Sequence, residues 1–189
     1  RGDNWFRLRA LAPIAGAYDF GGVELPALLD VRPPYNVGYT AYLVVAWNRL
    51  HELYVRPEEV FAAPYADKVE NLYDGLRSGE DVGATLPESI EMLYTARGLD
   101  LLRHPSGSFA AALAGHDADG DRLRPDVPVR LLVSPADEQV PRANSEHYLA
   151  TLRASGVDSA IVDLDNRVVD DSGHKGANVA GTAYAVHWF

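Results

Sequence analysis

Three short apolar runs along the chain have the pattern of buried β-strands. They cover residues 8–15 (LRALAPIA), 129–133 (VRLLV) and 159–164 (SAIVDL). Apolar runs of this length, bounded by turn residues, are typical of strands that are covered on both faces, as in a parallel sheet. A helical pattern over 142–155, stopped by Gly156, joins the second run to the third and predicts a parallel crossover.

The long stretch between the first two runs has helical rather than strand periodicity, with two candidate buried faces. These faces are formed by Tyr42, Leu43, Ala46, Trp47, Leu50, Leu53 and Tyr54, and by Tyr65, Val69, Leu72, Tyr73 and Leu76. The pattern predicts an α/β protein in three parts. They are a core strand with its following loop in 1–24, a helical insertion in 25–125, and a C-terminal α/β core in 126–189.

The C-terminal segment is predicted to be a helix that closes the sheet. Within residues 176–189, Val179, Ala183 and Val186 stand at positions i, i+4 and i+7, so they form one apolar stripe. We expect this stripe to pack on the sheet.

The composition of the chain excludes several classes of binding partner and of site chemistry. The formal net charge is −10 at pH 7 and no cluster of Lys and Arg stands out, which excludes nucleic acid as a partner. The chain has no Cys, which excludes disulfides, thiolate metal sites and a cysteine nucleophile within it. No apolar run approaches the roughly 18 residues of a membrane-spanning helix. The cellular location is left open by these data.

The first predicted strand lies close to the start of the printed sequence. The chain begins with Arg1, and the first apolar run follows at residue 8. A strand in the middle of a sheet needs neighbours on both edges, so we expect further strands of the same sheet outside these 189 residues.

An aspartate follows the second strand at the point where that strand leaves the sheet. Asp137 stands four residues after Val133, in a turn bounded by Pro135 and Pro141. Open α/β sheets place their sites at the carboxyl ends of strands, so a functional role is one interpretation. An aspartate that bonds its own turn, or that caps the helix after Pro141, is the other.

A histidine follows the third strand. Gly173 and Gly176 flank His174 and would let the backbone of its loop approach a neighbouring segment closely. A parallel crossover brings the ends of both strands to one edge, so we expect Asp137 and His174 to meet there. A carboxylate can orient an imidazole, and an imidazole so held can deprotonate a hydroxyl nucleophile. The other histidines are interpreted as surface or structural residues: His51, His104, His116, His147 and His187.

These turns resemble the C-terminal part of the α/β-hydrolase superfamily. The segment SPADEQVP at 134–141 and the segment GHKG at 173–176 are similar to the acid turn and the histidine turn of that superfamily. The segment APIAGAYD at 12–19 is similar to the strand that follows the nucleophile helix in bacterial esterases and lipases. The resemblance implies about three strands of a parallel α/β-hydrolase sheet, and it makes the insertion at 25–125 a cap or lid. Ser134 stands where the family usually has Gly.

The resemblance also implies a serine hydrolase, similar to carboxylesterases and lipases, that acts on small esters without a metal or an organic cofactor. Asp137 matches the acid of the Ser-Asp-His triad, and His174 matches its general base. The sequence contains no G-x-S-x-G motif, so the nucleophile and the oxyanion hole are expected upstream of Arg1 or on another polypeptide. On this interpretation the chain alone is inactive. The alternative is a non-catalytic α/β-hydrolase-like module for binding or assembly.

Weaker candidates surround the main pair. Asp19 also follows a strand and is the rival for the acid role. Ser106 and Ser108 are rejected as nucleophiles, because no strand precedes them to form a sharp exposed turn. Tyr18 and Tyr35 are expected to line a substrate pocket, although core packing explains aromatic residues equally well.

An acidic run at 117–121 (DADGD) invites a calcium interpretation. An EF-hand loop needs Gly at its sixth position and Glu at its twelfth, and these positions hold Arg122 and Pro128. The run is therefore interpreted as a solvated acidic loop.

Overall fold

The chain folds into two compact units. The computed structural model describes residues 7–30, 35–118 and 126–189. One unit is formed by residues 1–24 and 117–189, and the other by residues 25–116. In chain order the elements are a π-helical turn at Phe20–Glu24, α1 (Leu25–Leu29), α2 (Tyr35–His51), a 3₁₀ turn at Pro57–Glu59, α3 (Ala63–Ala66), α4 (Val69–Leu72), α5 (Gly79–Thr85), α6 (Ile90–Leu93), α7 (Ala96–Arg103), α8 (Gly107–His116), β1 (Val129–Val133), α9 (Arg142–Ala154), β2 (Ser159–Asp163) and α10 (Gly173–Trp188).

Two parallel strands form the centre of the first unit. β1 and β2 pair in register, with Val129 opposite Ser159 and Val133 opposite Asp163. β1 is buried along most of its length, and α9 packs against both strands. Gly156 follows α9 with a φ of +76°, which lets the chain turn toward β2 as predicted. The mixed α/β class and the parallel pairing of these strands are confirmed.

Residues 8–15, predicted as the first strand, run parallel to β1 without forming a regular strand. Leu11 forms an isolated parallel bridge with Val129, and Ile14 forms another with Leu132. The expected third strand of the sheet is therefore present only as two separate bridges among the described residues.

Pro13 accounts for the interruption. In a parallel ladder with this register, residue 13 would donate its N–H to the carbonyl of Arg130. That bond would lie between the bonds that Leu11 and Ala15 donate to the β1 segment, which are 2.9 and 3.0 Å long. Proline has no N–H, so the ladder lacks the hydrogen bond that would join the two bridges.

α10 packs on the sheet through a face of small residues. The helix begins at Gly173, earlier than the predicted start at Gly176. Val179 and Val186 of the predicted stripe are 46% and 74% exposed, so that prediction is wrong. The buried positions are Gly173, Gly176, Ala177, Ala180 and Gly181. A Cβ on Gly181 would lie 2.8 Å from the side chain of Ile14, so the helix lies too close to this segment for larger residues.

The second unit is predominantly helical. α2 buries Val37, Ala41 and Val44, which are spaced at i, i+4 and i+7. Tyr42 and Leu50, from the predicted face, are exposed, whereas Leu43 of that face is only 5% exposed, so the prediction is correct for part of the face only. α2 contacts α1, α4, α6 and α8. None of the described helices has the length and hydropathy that crossing a membrane requires.

Candidate active site

The turn after β1, residues 134–141, holds Asp137 by its own backbone; we call it the acid turn. Oδ1 of Asp137 accepts the N–H groups of Gln139 (2.9 Å) and Val140 (3.0 Å). The N–H of Asp137 donates to the carbonyl of Ser134 at 3.1 Å. An aspartate that accepts hydrogen bonds from the backbone of its own turn is the structural interpretation given above. This role occupies one carboxylate oxygen and leaves Oδ2 for another partner.

A second turn, residues 169–176, delivers His174 to the start of α10; we call it the histidine turn. Val169 and Ser172 exchange two backbone hydrogen bonds, and Asp170 and Asp171 between them have φ values of +48° and +58°. Two left-handed residues reverse the chain within two positions. The hydroxyl of Ser172 then caps α10. His174 therefore lies in the first turn of a helix, not in the expected loop.

Two glycines let the histidine turn approach its neighbours closely. A Cβ on Gly173 would lie 1.8 Å from the carbonyl oxygen of Ala136, and a Cβ on Gly176 would lie 1.8 Å from that of Arg167. Both distances are far inside van der Waals contact, so a side chain fits at neither position. The close approach expected of these glycines is present, and at Gly173 it is made with the acid turn.

Asp137 and His174 meet within hydrogen-bond distance. Nδ1 of His174 lies 3.0 Å from Oδ2 of Asp137. The side chain of Asp137 is 5% exposed and that of His174 is 27% exposed, so the acid is buried and the ring is partly open to solvent. Because an ionised carboxylate only accepts hydrogen bonds, Nδ1 carries the proton, and Nε2 of the neutral ring has a free lone pair. Nothing in the described ranges hydrogen-bonds Nε2.

The surroundings of His174 favour its protonated form. The hydrogen bond to Asp137 raises the pKa of the imidazole, burial opposes the rise, and the negative charges of Asp137, Glu138 and Glu24 add to it. The ring is therefore a stronger base than an isolated histidine, which suits it to accept a proton from a hydroxyl.

Glu138, the neighbour of the acid, binds the backbone of the histidine turn. Its Oε1 accepts the hydroxyl of Ser172 (2.7 Å), and its Oε2 accepts the N–H groups of Gly173 (2.8 Å) and His174 (3.2 Å). Burial alone would raise the pKa of Glu138, but hydrogen bonds from the Ser172 hydroxyl, from the Gln139 side chain and from the backbone N–H groups of Glu138 and His174 lower it to about 2. The sequence around Glu138 contains no motif that distinguishes it from an ordinary turn residue. Its hydrogen bonds could therefore be found only in the structure.

A buried acid from the π-helical turn lies within electrostatic reach of the pair. Glu24 is 6% exposed, and its Oε2 accepts the side-chain N–H of Asn144 at 2.8 Å. Burial raises the pKa of Glu24, the bond from Asn144 lowers it, and the charge of Asp137 raises it. The sequence around Glu24 contains no motif. Only its hydrogen bond with Asn144 of α9, which is distant in the sequence, shows that Glu24 lies near the site.

Asp19, the rival acid, belongs to a second aspartate–histidine pair. Its Oδ2 lies 2.6 Å from Nδ1 of His147, and its Oδ1 accepts the N–H of Gly22 at 2.6 Å. The pair borders a cavity of about 200 Å³ that is also lined by Tyr18, Asp117, Ala118, Tyr148 and Thr151. The fold thus pairs Asp19 with His147, whereas His174 is bonded to Asp137.

The tyrosines expected to line a substrate pocket have aromatic neighbours. The ring of Tyr18 packs against that of Tyr148, with centroids 4.9 Å apart. Tyr35 begins α2 in the helical unit, and its ring centroid lies 6.2 Å from that of Tyr39. Ordinary packing produces both contacts. That Tyr18 or Tyr35 contributes to substrate binding stays a prediction.

The rejected serines lie in the helical unit. Ser106 directly precedes α8 and Ser108 is the second residue of that helix, which follows α7 rather than a strand. Neither position is the strand-to-helix turn that exposes a nucleophilic serine in this class of enzyme.

The acidic run is described only in part. Oδ1 of Asp117 accepts the backbone N–H groups of Phe20 (2.5 Å) and Gly21 (3.1 Å). Residues 119–121 of the run lie outside the described residues. Within residues 7–30, 35–118 and 126–189, no group of three His, Asp or Glu side chains is arranged to hold a metal ion.

Comparison with known proteins identifies structural neighbours. No protein-family model matches the chain, and no curated protein matches it. The rice cell wall degrading esterase LipA from Xanthomonas oryzae is 25% identical with a TM-score of 0.79, over 96% of this chain and 50% of that chain. A ligand-bound form of the same esterase has a TM-score of 0.80, over 97% of this chain and 50% of that chain. A putative hydrolase from Legionella pneumophila is 17% identical with a TM-score of 0.78, over 96% of this chain and 47% of that chain.

The chain therefore spans about half the length of the solved structures that it matches. The resemblance expected from the acid and histidine turns is confirmed at the level of the fold. This chain fits the C-terminal half of an esterase-like hydrolase fold.

Proposed function

We propose that this chain supplies the acid and the histidine of a Ser-Asp-His triad in a serine hydrolase that cleaves carboxylic esters. The observation that carries the proposal is the 3.0 Å contact between Nδ1 of His174 and Oδ2 of the buried Asp137. The esterase with the same fold supports the choice of an ester as substrate class. Fold alone does not determine chemistry, so the proposal depends on this pair.

His174 is the proton carrier in this proposal. Nε2 takes the proton of the serine hydroxyl while the serine oxygen bonds to the ester carbonyl carbon. The resulting oxyanion intermediate collapses, the alcohol leaves with the proton from Nε2, and an acyl-serine remains. Water, deprotonated by Nε2, then releases the acid and restores the serine. Asp137 remains ionised and stabilises the imidazolium in each step, so neither a metal nor a cofactor is required.

The serine and the oxyanion hole are proposed to lie outside the 189 residues. The sequence has no G-x-S-x-G motif, and the match covers 50% of LipA. Residues 8–15 offer a place of attachment: among the described residues, the N–H groups of Ala12 and Ile14 have no backbone partner. An open edge of this kind pairs readily with another strand. We propose that the rest of the same sheet, from the same gene or a second chain, pairs here and makes 8–15 the third strand.

The helical unit is proposed to be the cap of this hydrolase. Residues 25–116 form a compact, mainly helical body inserted between the 8–15 segment and β1. Caps of hydrolases exclude water from a reacting ester and shape the pocket for its acyl group.

Fluorophosphonate labelling of the intact protein tests the proposal. The reagent reacts with a serine that a base has activated, so we expect one labelled serine. In His174→Ala the labelling should slow at least about 100-fold, because general-base catalysis contributes that much or more. His147→Ala is the matched control and should be labelled at the wild-type rate. Equal labelling of wild type and His174→Ala would contradict the proposal.

A non-catalytic binding or assembly module is the second candidate. The absence of a G-x-S-x-G motif from the sequence favours it. In that case the intact protein takes no label and hydrolyses no short-chain nitrophenyl ester. A label found on an upstream or co-purifying segment excludes this candidate.

A further inference from the structure

The acid turn carries two adjacent carboxylates that bind different parts of the histidine turn. Asp137 bonds the ring of His174, and Glu138 bonds the backbone at the start of α10. We propose that Glu138 is a positioning residue, whose carboxylate anchors the first turn of α10 to the acid turn and keeps the His174 ring in register with Asp137. This role rests on the proposed function, in which His174 is the general base.

Both carboxylate oxygens of Glu138 have partners at the helix start. Oε1 accepts the Ser172 hydroxyl at 2.7 Å and the Gln139 side-chain amide at 3.1 Å. Oε2 accepts the N–H groups of Gly173 at 2.8 Å and His174 at 3.2 Å. The first N–H groups of a helix have no partner within the helix, and bonds from such groups to a charged acceptor are the stronger kind. Glu138 therefore satisfies donors that the helix itself leaves open.

The anchor and the ring contact are geometrically coupled. Glu138 accepts the backbone N–H of the same residue whose ring bonds Asp137, so a displacement of the helix start disturbs both contacts together. Gly173 adds a packing contact, because the carbonyl of Ala136 leaves no room for a Cβ at this position. The hydrogen bonds to Glu138 and the packing contact at Gly173 thus hold the first turn of α10 on the acid turn.

Glu138 also acts on His174 through its charge. His174 is the second residue of α10, where the positive end of the helix dipole disfavours an imidazolium. A carboxylate bonded to the N–H groups of that end opposes this effect, and its charge raises the pKa of His174. The charged groups that act on the ring are Asp137, Glu138 and Glu24. Lys175, the next residue along the chain, is paired with Asp170 at 3.3 Å.

NMR titration of the His174 imidazole in the intact protein tests the proposal without a substrate. Glu138→Gln removes the charge at nearly constant size. Glu146→Gln is the matched control, because Glu146 bonds Arg142 on the surface of α9. We expect Glu138→Gln to lower the pKa of His174 and to speed hydrogen exchange of the Gly173 amide about tenfold, the effect of losing one bond to a charged group. Glu146→Gln should change neither quantity.

Kinetics separate this inference from the proposed function. Glu138→Gln should lower kcat for an ester about tenfold with KM unchanged, because the position and basicity of the ring affect the chemical step. A folded Glu138→Gln protein with the wild-type pKa of His174 and wild-type exchange at Gly173 overturns the role of Glu138. If both NMR effects are observed but the wild type cleaves no ester, the anchor stands and the proposed function fails.

A second variant covers the case in which Glu138→Gln does not fold. Glu138→Asp keeps the charge but shortens the side chain, so the bonds to the helix start should weaken while the pKa of His174 stays raised. We expect faster exchange at Gly173 with little change in the titration of the ring. Exchange at the wild-type rate in this variant would contradict the anchoring role.

Discussion

The same unit contains two aspartate–histidine pairs. Both have the same kind of contact, between Nδ1 of the histidine and a carboxylate oxygen, but their surroundings differ. Nδ1 lies 3.0 Å from the carboxylate in Asp137–His174 and 2.6 Å from it in Asp19–His147. Contact length alone would favour the second pair. The side chain of Asp137 is 5% exposed and that of His174 is 27% exposed, whereas the values for Asp19 and His147 are 25% and 59%.

Burial and anchoring, rather than contact length, distinguish the first pair. Water competes with the exposed contact of His147, and such surface pairs contribute little. His174 has its carboxylate partner shielded from solvent, its backbone bound by Glu138, and its helix capped by Ser172. An oriented imidazole with a protected acid is what proton transfer requires, so we propose the catalytic role for this pair alone.

The largest expected contrast is between the two histidines. His174→Ala should lower kcat/KM for a short-chain nitrophenyl ester on the order of 10⁶-fold in the intact protein, because it removes the group that acts as base and as acid in both half-reactions. His147→Ala should leave the rate within about twofold, since surface substitutions seldom disturb a distant step. Steady-state hydrolysis measures both. Comparable losses in the two variants would remove the distinction between the pairs.

Substitutions of the two aspartates should differ in their effect on kcat by a large factor, although a smaller one than for the two histidines. Asp137→Asn should lower kcat on the order of 10⁴-fold, because the amide no longer holds the ring in the tautomer with its lone pair on Nε2. Asp19→Asn keeps an oxygen that can accept the N–H of Gly22 and should change kcat only a few-fold. A greater loss for Asp19→Asn than for Asp137→Asn would make Asp19 the acid.

Glycine substitutions sharpen the comparison at the level of packing. Gly173→Ala should lower the free energy of unfolding by about 1–3 kcal/mol, because its Cβ would overlap the carbonyl of Ala136. Gly38→Ala in α2 is the matched control, since nothing lies within 4 Å of its added Cβ. Replacing a helical glycine there should raise stability by about 0.5–1 kcal/mol. Urea denaturation checks both values, and equal effects would show that the histidine turn is not closely packed.

The smallest expected effect is a pH dependence. The pKa of His174 is raised above its ordinary value of 6.5, chiefly by the bond to Asp137, so the acid limb of kcat/KM should lie above pH 6.5. For stability, a histidine with a raised folded pKa contributes fully below pH 6.5, and the contribution is lost as the pH rises through the folded pKa. Denaturation of wild type and His174→Ala across this window should show that loss in the wild type only. Parallel curves would contradict the raised pKa.

The sequence made the main pair predictable because several local signals agreed. A buried strand, a proline-bounded turn and a glycine-flanked histidine are each local features of the sequence. The parallel crossover brings the ends of both strands, and so both residues, to the same edge of the sheet. Asp137 and His174 could therefore be nominated, and their contact expected, from the sequence alone. Glu138 and Glu24 carry no such signal, since their bonds depend on segments distant in the sequence.

The incorrect predictions have physical causes that hydrophobic periodicity does not capture. Periodicity assigns the largest apolar residues to the core, but a close approach between elements selects the smallest ones. In α10 the glycine and alanine face is buried and Val186 is exposed. In α2 Tyr42 is exposed, although its neighbour Leu43 is buried beside Val44. Pro13 similarly divides a strand that its apolar neighbours predict, because a missing N–H does not affect hydrophobicity.

The low-field proton NMR spectrum of the intact protein tests the central claim most directly. A proton shared between Nδ1 of His174 and Oδ2 of Asp137 should give a resonance shifted far downfield and protected from exchange by the buried acid. We predict that Asp137→Ala abolishes this resonance and that Asp19→Ala leaves it unchanged. A spectrum in which the resonance survives Asp137→Ala, or is lost in Asp19→Ala, would contradict the account.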